Sequence, residues 1–285
     1  MNPLAMQGKT IVITGATSGI GQVAAEELAA LGARLVLVAR NKSRAAATLA
    51  RLEARRHGIA HGVHYADLSR LSEIRRVAAE IAAAEPRIDL LLNNAGALFG
   101  RRKVTEDGLE LTFATNHMAY FLFTRGLRER LLGSAPARIV STASDAHEGN
   151  QIDFDDLQAT KGFRGFKIYG RSKLCNILFT RELARRLAGT GITANCLHPG
   201  FVSTRFGDES GGAFSYVVRI AKNFAISPEK GAATIVYLAS SPDVAAVSGE
   251  YFYKCRVATP SKEARDDESA RRLWQETAKL AGVVE

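Results

Sequence analysis

The chain has 285 residues, of which 46% are hydrophobic and 24% charged, an ordinary globular composition that excludes disorder over the whole length. Its cysteines, Cys175, Cys196 and Cys255, are odd in number and lack metal-ligand spacing, so neither a disulfide framework nor a metal site is expected, and a reducing compartment fits. The net charge of +9 invites a nucleic-acid reading, but seven basic residues and one acid, Glu53, fall between Arg34 and Arg56. Elsewhere basic and acidic residues alternate as on solvated helix faces, so a local basic lip explains the excess and no nucleic-acid partner is expected.

The N-terminus, MNPLAMQGK, is too short and too polar for a signal peptide. No window reaches the ~18 consecutive apolar residues of a membrane span, so no integral membrane anchor and a cytoplasmic location are expected.

Residues 9–14, KTIVIT, form a short β-branched run that ends in glycines, and Val23 to Leu31 show apolar residues at helical spacing, stopped by Gly32. A second strand spans 34–39, a helix 42–57, a third strand 61–66 and a third helix 70–84. IDLLLNNAG, 88–96, is a buried strand running into a turn, and 108–132 reads as one long helix. ARIVSTAS, 137–144, is the next strand. An irregular stretch, 145–165, leads to a helix over about 168–188, and ITANCLHPG, 192–200, is a strand with a turn. A Gly- and Ser-bearing segment, 207–215, precedes a helix over 228–240, a short strand near 250–253 and a last helix near 263–281.

Strands alternate with helices throughout, which makes βαβ units and a parallel sheet covered on both faces. The expected class is α/β: a single Rossmann-type, doubly wound parallel sheet of about seven strands. No composition break or repeat marks a linker, so 1–285 reads as one domain.

The first strand is followed by Thr14-Gly15-Ala16-Thr17-Ser18-Gly19-Ile20-Gly21. Where a strand ends and a helix opens, missing side chains let the backbone approach a pyrophosphate, and the helix N-terminus offers free N–H groups and a positive dipole end. Glycine clusters also serve as caps and tight turns; the position favours the phosphate reading. The second strand ends at Ala39-Arg40, where folds that prefer NAD place an acid for the ribose 2′-hydroxyl. Here Arg40, with Lys42 and Arg44 close behind, suits a 2′-phosphate in charge-assisted bonds, so NADP(H) is the expected cofactor. Asp67-Leu68 follows the third strand, where an Asp can accept a bond from the adenine amine or cap a helix. Asn94-Ala95-Gly96 ends the fourth, where small residues leave room for ribose and nicotinamide and an Asn can tie strands together.

Tyr169 and Lys173, at i and i+4, share one helix face. A phenol of pKa ~10 is a weak base at neutral pH unless an adjacent ammonium stabilises its anion. Ser144, at the C-terminal edge of the fifth strand and 25 residues before Tyr169, lies where open α/β sheets bind ligands and can polarise a carbonyl. Asn116, in the long helix, can anchor a water chain to Lys173 or be an ordinary core-capping amide.

Together TGATSGIG, NNAG, Ser144 and YGRSK resemble the short-chain dehydrogenase/reductase family from about residue 8 to 255. LTFATNHMAYFLFT, RIVSTASDAH, KLCNILFTRELARRL, LHPGFVST and SGEYFYKCRVATPS resemble its retinol dehydrogenase-like branch. The resemblance implies a catalytic tetrad of Asn116, Ser144, Tyr169 and Lys173, with Tyr169 as proton donor in carbonyl reduction and base in alcohol oxidation. It implies cofactor contacts along Gly15, Thr17, Ser18, Gly19, Ile20 and Gly21, at Arg40, Asp67, Leu68, Asn94, Ala95 and Gly96, and at Tyr169 and Lys173. Pro199, Gly200, Val202 and Thr204 resemble the stretch that closes over the nicotinamide carboxamide. Family members often form homodimers or homotetramers through the long helices. Retinol dehydrogenase-like enzymes commonly carry an N-terminal membrane anchor; about eight residues precede the first strand here, so none is expected.

Residues 204–225 mix glycines with Phe206, Phe214, Tyr216 and Phe224, as a mobile apolar lid or a plain amphipathic helix would. His147, Phe154, Leu157, Phe163 and Phe166 are candidates for the opposite wall, His147 more as a structural group than a catalytic one. The expected function is an NADP(H)-dependent oxidoreductase acting on a small hydrophobic alcohol or carbonyl. The alternative, a catalytically silent NADP(H)-binding sensor or scaffold, fits less well because all four tetrad positions are kept.

Overall fold

The computed structural model describes residues 4–200 and 227–284. Among the described residues, eight strands form one sheet: β1 (Thr10–Thr14), β2 (Arg34–Ala39), β3 (Gly62–Tyr65), β4 (Leu90–Asn93), β5 (Ala137–Thr142), β6 (Ile192–Leu197), β7 (Tyr251–Tyr253) and β8 (Arg256–Val257). The spatial order is β3-β2-β1-β4-β5-β6-β7-β8. All neighbours are parallel except β7 and β8. The parallel part, β1–β7, is the expected sheet of about seven strands. β8 is a two-residue hairpin return made possible by positive φ at Lys254 and Cys255, residues that do not announce such a turn.

The helices are α1 (Gly19–Ala30), α2 (Lys42–Arg55), α3 (Leu71–Ala84), a three-part run α4, α5 (Arg128–Leu132), α6 (Gly165–Arg186), α7 (Pro228–Ser240) and α8 (Asp267–Leu280). The run α4 comprises Leu111–Phe113, a π-helical turn Ala114–Met118, and Ala119–Gly126. The helix expected over 108–132 therefore starts later and is interrupted. Buried Glu110 caps it by accepting from Thr112 N and Phe113 N, both at 2.8 Å, and Leu127 separates α4 from α5.

Alternation along the strands sorts the core into two layers. Val12, Val36, Val38, Leu91, Ile139, Ala194 and Cys196 face α3, α4 and α6, with α8 packed outside α6. Ile11, Ile13, Leu35, Leu37, Leu90, Leu92, Val140 and Leu197 face α1, α2 and α7. Because both faces are covered, the central strands are apolar throughout. The sheet order reverses direction between β1 and β4, which opens a crevice at their C-terminal ends. No helix among the described residues is long and apolar enough to cross a membrane.

Candidate active site

A cleft of about 1000 Å³ follows that C-terminal edge. At its centre the chain leaves β1 through Gly15, whose φ of +71° is left-handed and suits glycine. A Cβ on Gly15 would lie 2.7 Å from Ala95 Cα, and one on Gly21 2.3 Å from both Gly15 O and Asn94 Nδ2. The turn between β1 and α1 is thus pressed onto the segment after β4. Asn94 holds the two together: Nδ2 donates to Thr14 O (3.3 Å) and Gly15 O (3.2 Å), and Oδ1 accepts from Thr142 Oγ1 at 3.1 Å. Thr14 Oγ1 accepts from Asn94 N and Ala95 N, each at 3.0 Å.

Ser18 is the N-cap of α1 but makes no side-chain cap bond, and no acid stands in the first turn. The leading N–H groups therefore face a cleft wall built of Gly15, Thr17, Ser18, Gly19, Ile20 and Gly21, a cradle that fits a pyrophosphate.

Arg40 and Arg44 line the cleft beyond β2. Three others of the basic lip are turned elsewhere: Arg55 reaches Glu26 at 3.1 Å, Arg51 approaches it at 3.8 Å, and Arg34 pairs with Glu85. Asp67, Leu68, Asn94, Ala95 and Gly96 also line the cleft. Asp67 Oδ1 accepts from Ser69 N (3.0 Å) and Ser69 Oγ (2.8 Å), which leaves Oδ2 outside these bonds.

Ser144 follows β5 and opens the 3₁₀ turn Asp145–His147, where its Oγ accepts from Ala146 N at 3.1 Å. α6 lies directly on this turn, because a Cβ on Gly170 would sit 2.2 Å from Ala146 O and 2.5 Å from Asn150 Nδ2. That approach brings Tyr169 into hydrogen-bond reach of Ser144. Lys173, one turn further, is 2% exposed. Its Nζ donates to Thr142 O at 2.9 Å and lies 5.6 Å from the Tyr169 ring centroid.

Burial dominates both ionisations. It pushes the Tyr169 phenol up, against the lowering effect of the Ser144 hydrogen bond, and lowers the Lys173 ammonium to about 7. The expected depression of the phenol is therefore not a property of the protein alone, since desolvation outweighs the Ser144 hydrogen bond.

Asn116 does not line the cleft wall. From the π-helical turn its Oδ1 accepts from Ala97 N (2.8 Å), while Nδ2 donates to Ala97 O and Ser172 Oγ, both at 2.9 Å. Ser172 Oγ in turn donates to Tyr169 O at 2.7 Å. The amide is thus a two-sided clamp on the main chain of Ala97, rather than a free anchor for water. A Cβ on Gly96 would be 3.3 Å from both Asn116 Oδ1 and Lys173 Nζ, so glycine there keeps the space between them open.

Of the substrate-wall candidates, Phe166 alone lines the cleft; it is 57% exposed, with its ring 6.4 Å from that of Tyr169. Leu157 is buried and Phe154 packs against the core. His147 is buried, with Nδ1 2.7 Å from Ser144 O and Nε2 accepting from Ser261 N at 3.1 Å, a structural role. Leu98 and Phe99, which no periodicity singled out, complete the wall. Gly170, Thr142 and Ser172 were also missed. Gly170 carried a legible signal, a glycine inside a helix beside Tyr169. Pro199 and Gly200 line the cleft, whereas Val202, Thr204 and the segments 207–215 and 204–225 lie outside the described residues.

A phosphate cradle, a basic ledge and a Ser–Tyr–Lys cluster on one crevice are accompanied by a family match: the model described as short chain dehydrogenase covers residues 9–213. The chain belongs to the short-chain dehydrogenase family. This short-chain dehydrogenase is 42% identical to human retinol dehydrogenase 13 over 97% of its length and 85% of that protein. It is 41% identical to mouse retinol dehydrogenase 14 over 99% of its length and 89% of that protein. Among solved structures, an uncharacterised protein from Mycobacterium paratuberculosis superposes with a TM-score of 0.77 at 29% identity, covering 97% of this chain and 94% of that one. The Pseudomonas aeruginosa RhlG/NADP complex superposes at 0.71 with 27% identity, covering 93% and 100%. The short-chain dehydrogenase fold and its oxidoreductase chemistry on CH–OH groups therefore frame the site.

Proposed function

We propose that the chain is an NADP(H)-dependent oxidoreductase of the cytoplasm, acting on a hydrophobic alcohol or carbonyl of retinol-, steroid- or aldehyde-like character. The observation that carries the reading is one cleft with Arg40 and Arg44 at one end and the Ser144–Tyr169–Lys173 cluster at the other. No acid stands at the end of β2, where a ribose 2′-hydroxyl would need one. The names of the retinol dehydrogenase relatives and the NADP held by RhlG support the same choice.

When bound, the nicotinamide supplies or takes the hydride. The chain's own residues do the rest. The turn from Gly15 to Gly21 would hold the pyrophosphate on the N–H groups of α1, Arg40 the 2′-phosphate, Asp67 and Leu68 the adenine, and Asn94, Ala95 and Gly96 the nicotinamide-side ribose. Pro199 and Gly200, which line the cleft, would flank the carboxamide, and Val202 and Thr204 are assigned the same duty by resemblance.

Ser144 hydrogen-bonds the reacting oxygen. In reduction Tyr169 Oη gives that oxygen a proton; in oxidation the phenolate takes the hydroxyl proton back. Lys173 would hold the ribose hydroxyls, and its charge would favour the phenolate. Asn116 fixes Ala97 and, through Ser172, the main chain of Tyr169. Phe166, Phe99 and Leu98 exclude water from the substrate side. The chain keeps all four residues of the tetrad, which speaks against a silent sensor.

Consumption of NADPH against a panel of aldehydes, ketones and quinones tests the reading, with parallel titration of NADPH and NADH. Turnover with tighter NADPH binding is expected; equal or tighter NADH binding sinks the cofactor assignment. Light scattering tests the homodimer or homotetramer that the family resemblance implies.

A further inference from the structure

Behind Lys173, away from the cleft, three buried polar side chains from three helices stand in an apolar core. They are Asn176 on α6, His117 in the π-helical turn of α4 and Thr277 on α8, exposed 0%, 1% and 0%. Phe113 and Phe179 flank the imidazole, with ring centroids 5.1 and 6.1 Å away. Polar groups in such surroundings persist only when they satisfy one another.

The bonding options of each group order the three. The Thr142 carbonyl that receives Lys173 Nζ at 2.9 Å can only accept, so the Asn176 atom 3.5 Å from it is Nδ2. That orientation leaves Oδ1 for the neighbouring His117 imidazole, on which the Asn176 side chain acts electrostatically. An amide oxygen needs a donor, so His117 Nδ1 carries the proton. His117 Nδ1 and Asn176 Oδ1 are each buried without a hydrogen-bond partner within ordinary bonding distance, and pairing the two satisfies both. Nε2 is then the acceptor and takes the Thr277 hydroxyl at 2.9 Å.

We propose that His117 and Asn176 are positioning residues for Lys173: Thr277 on α8 anchors His117, His117 locks the Asn176 amide, and Asn176 holds the Thr142 carbonyl that receives the ammonium. The proposal rests on reading Lys173 as catalytic. Burial keeps the imidazole neutral, its pKa lowered to about 4, so one tautomer serves across the working pH. The titratable groups whose rings face Lys173 are the phenols of Tyr169 and Tyr120, 5.6 and 5.8 Å from Nζ, and burial raises both.

Two arms test this. Nitrogen-15 spectra of histidine-labelled protein read the tautomer, with His117 assigned by the signal lost in His117→Asn. A protonated Nδ1 and a bare Nε2, unchanged from pH ~6 to ~9, are expected; a protonated Nε2 overturns the chain of bonds.

In the second arm, asparagine places an amide N–H where Nδ1 sits, and leucine does not. His117→Leu should lower kcat about ten- to hundredfold and weaken NADPH binding, with the substrate KM within about twofold; His117→Asn should recover most of both losses. Equal effects of the two substitutions would mean packing alone and overturn the positioning role. Should His117→Leu not fold, Thr277→Val, which removes only a hydroxyl, substitutes for it: a displaced His117 Nε2 resonance with kcat and NADPH affinity unchanged also overturns the role. If the expected tautomer and the NADPH-binding pattern appear in a protein that turns over no carbonyl, the oxidoreductase reading fails while the positioning of Lys173 stands.

Discussion

Gly21→Ala adds one methyl group 2.3 Å from Gly15 O and 2.3 Å from Asn94 Nδ2. Non-bonded heavy atoms rest about 3.5 Å apart, so the overlap exceeds about 1 Å on both sides. Gly15 O belongs to the main chain and cannot swing aside as a side-chain tip would. Relief requires the turn between β1 and α1 to open and the Asn94 amide to leave Thr14 O and Gly15 O. Two neutral hydrogen bonds at about 1 kcal/mol each and an overpacking cost of about 1–3 kcal/mol sum to about 3–5 kcal/mol. At about 2–4 °C per kcal/mol for a domain approaching this size, Tm falls by about 6–20 °C. A 1 Å displacement of the cradle also weakens NADPH by more than about tenfold. Calorimetry and NADPH fluorescence titration read both effects. Wild-type affinity and wild-type Tm in Gly21→Ala would refute the close-packed cradle.

Three further substitutions probe the rest of the cleft. Arg40→Ala removes a charge-assisted contact of about 1.5–3 kcal/mol, so NADPH affinity drops about ten- to hundredfold while NADH changes less than about twofold; equal losses for both cofactors contradict the 2′-phosphate role. Gly170→Ala puts a methyl 2.2 Å from Ala146 O and parts Tyr169 from Ser144, so kcat falls about a hundredfold with NADPH affinity within a few-fold. For Lys173→Met the measurement is unfolding by denaturant against pH. Burial lowers Lys173 from 10.5 to about 7, so between those values the unfolded chain binds a proton that the folded chain does not, and wild-type stability rises with pH across the window. The substitution therefore stabilises by a few kcal/mol at and below about pH 7, and the gain fades toward pH 10.5. A gain independent of pH contradicts the buried ammonium.

The elements that a sequence reads well are those whose boundaries are chemical. β2 (Arg34–Ala39) is an apolar run from Leu35 bounded by Arg34 and Arg40, and α7 (Pro228–Ser240) has Ser227 accepting from Lys230 N at its start, with proline following. α1 begins at Gly19, four residues before the first apolar residue of the expected pattern, because the glycines that weaken the helical signal are those the cofactor cradle requires. The π-helical turn at Ala114–Met118 left no periodicity mark, since one extra residue per turn only rotates the apolar stripe.

In the site, spacing and position singled out Ser144, Tyr169 and Lys173, and the structure places them together. The work of Asn116 was illegible because its partners, Ala97 and Ser172, lie 19 residues before it and 56 after it. The same applies to His117, whose partner Thr277 is 160 residues away. Buried tertiary hydrogen bonds leave no local pattern.

The central claim is that Tyr169 moves the proton in a hydride transfer served by Ser144 and Lys173. Tyr169→Phe keeps the ring and deletes the hydroxyl. Single-turnover oxidation of bound NADPH by the best carbonyl of the panel measures its effect most directly. The rate should fall by about 10²–10⁴, with the NADPH dissociation constant within about twofold of the wild type. Full-rate turnover by Tyr169→Phe would contradict the account.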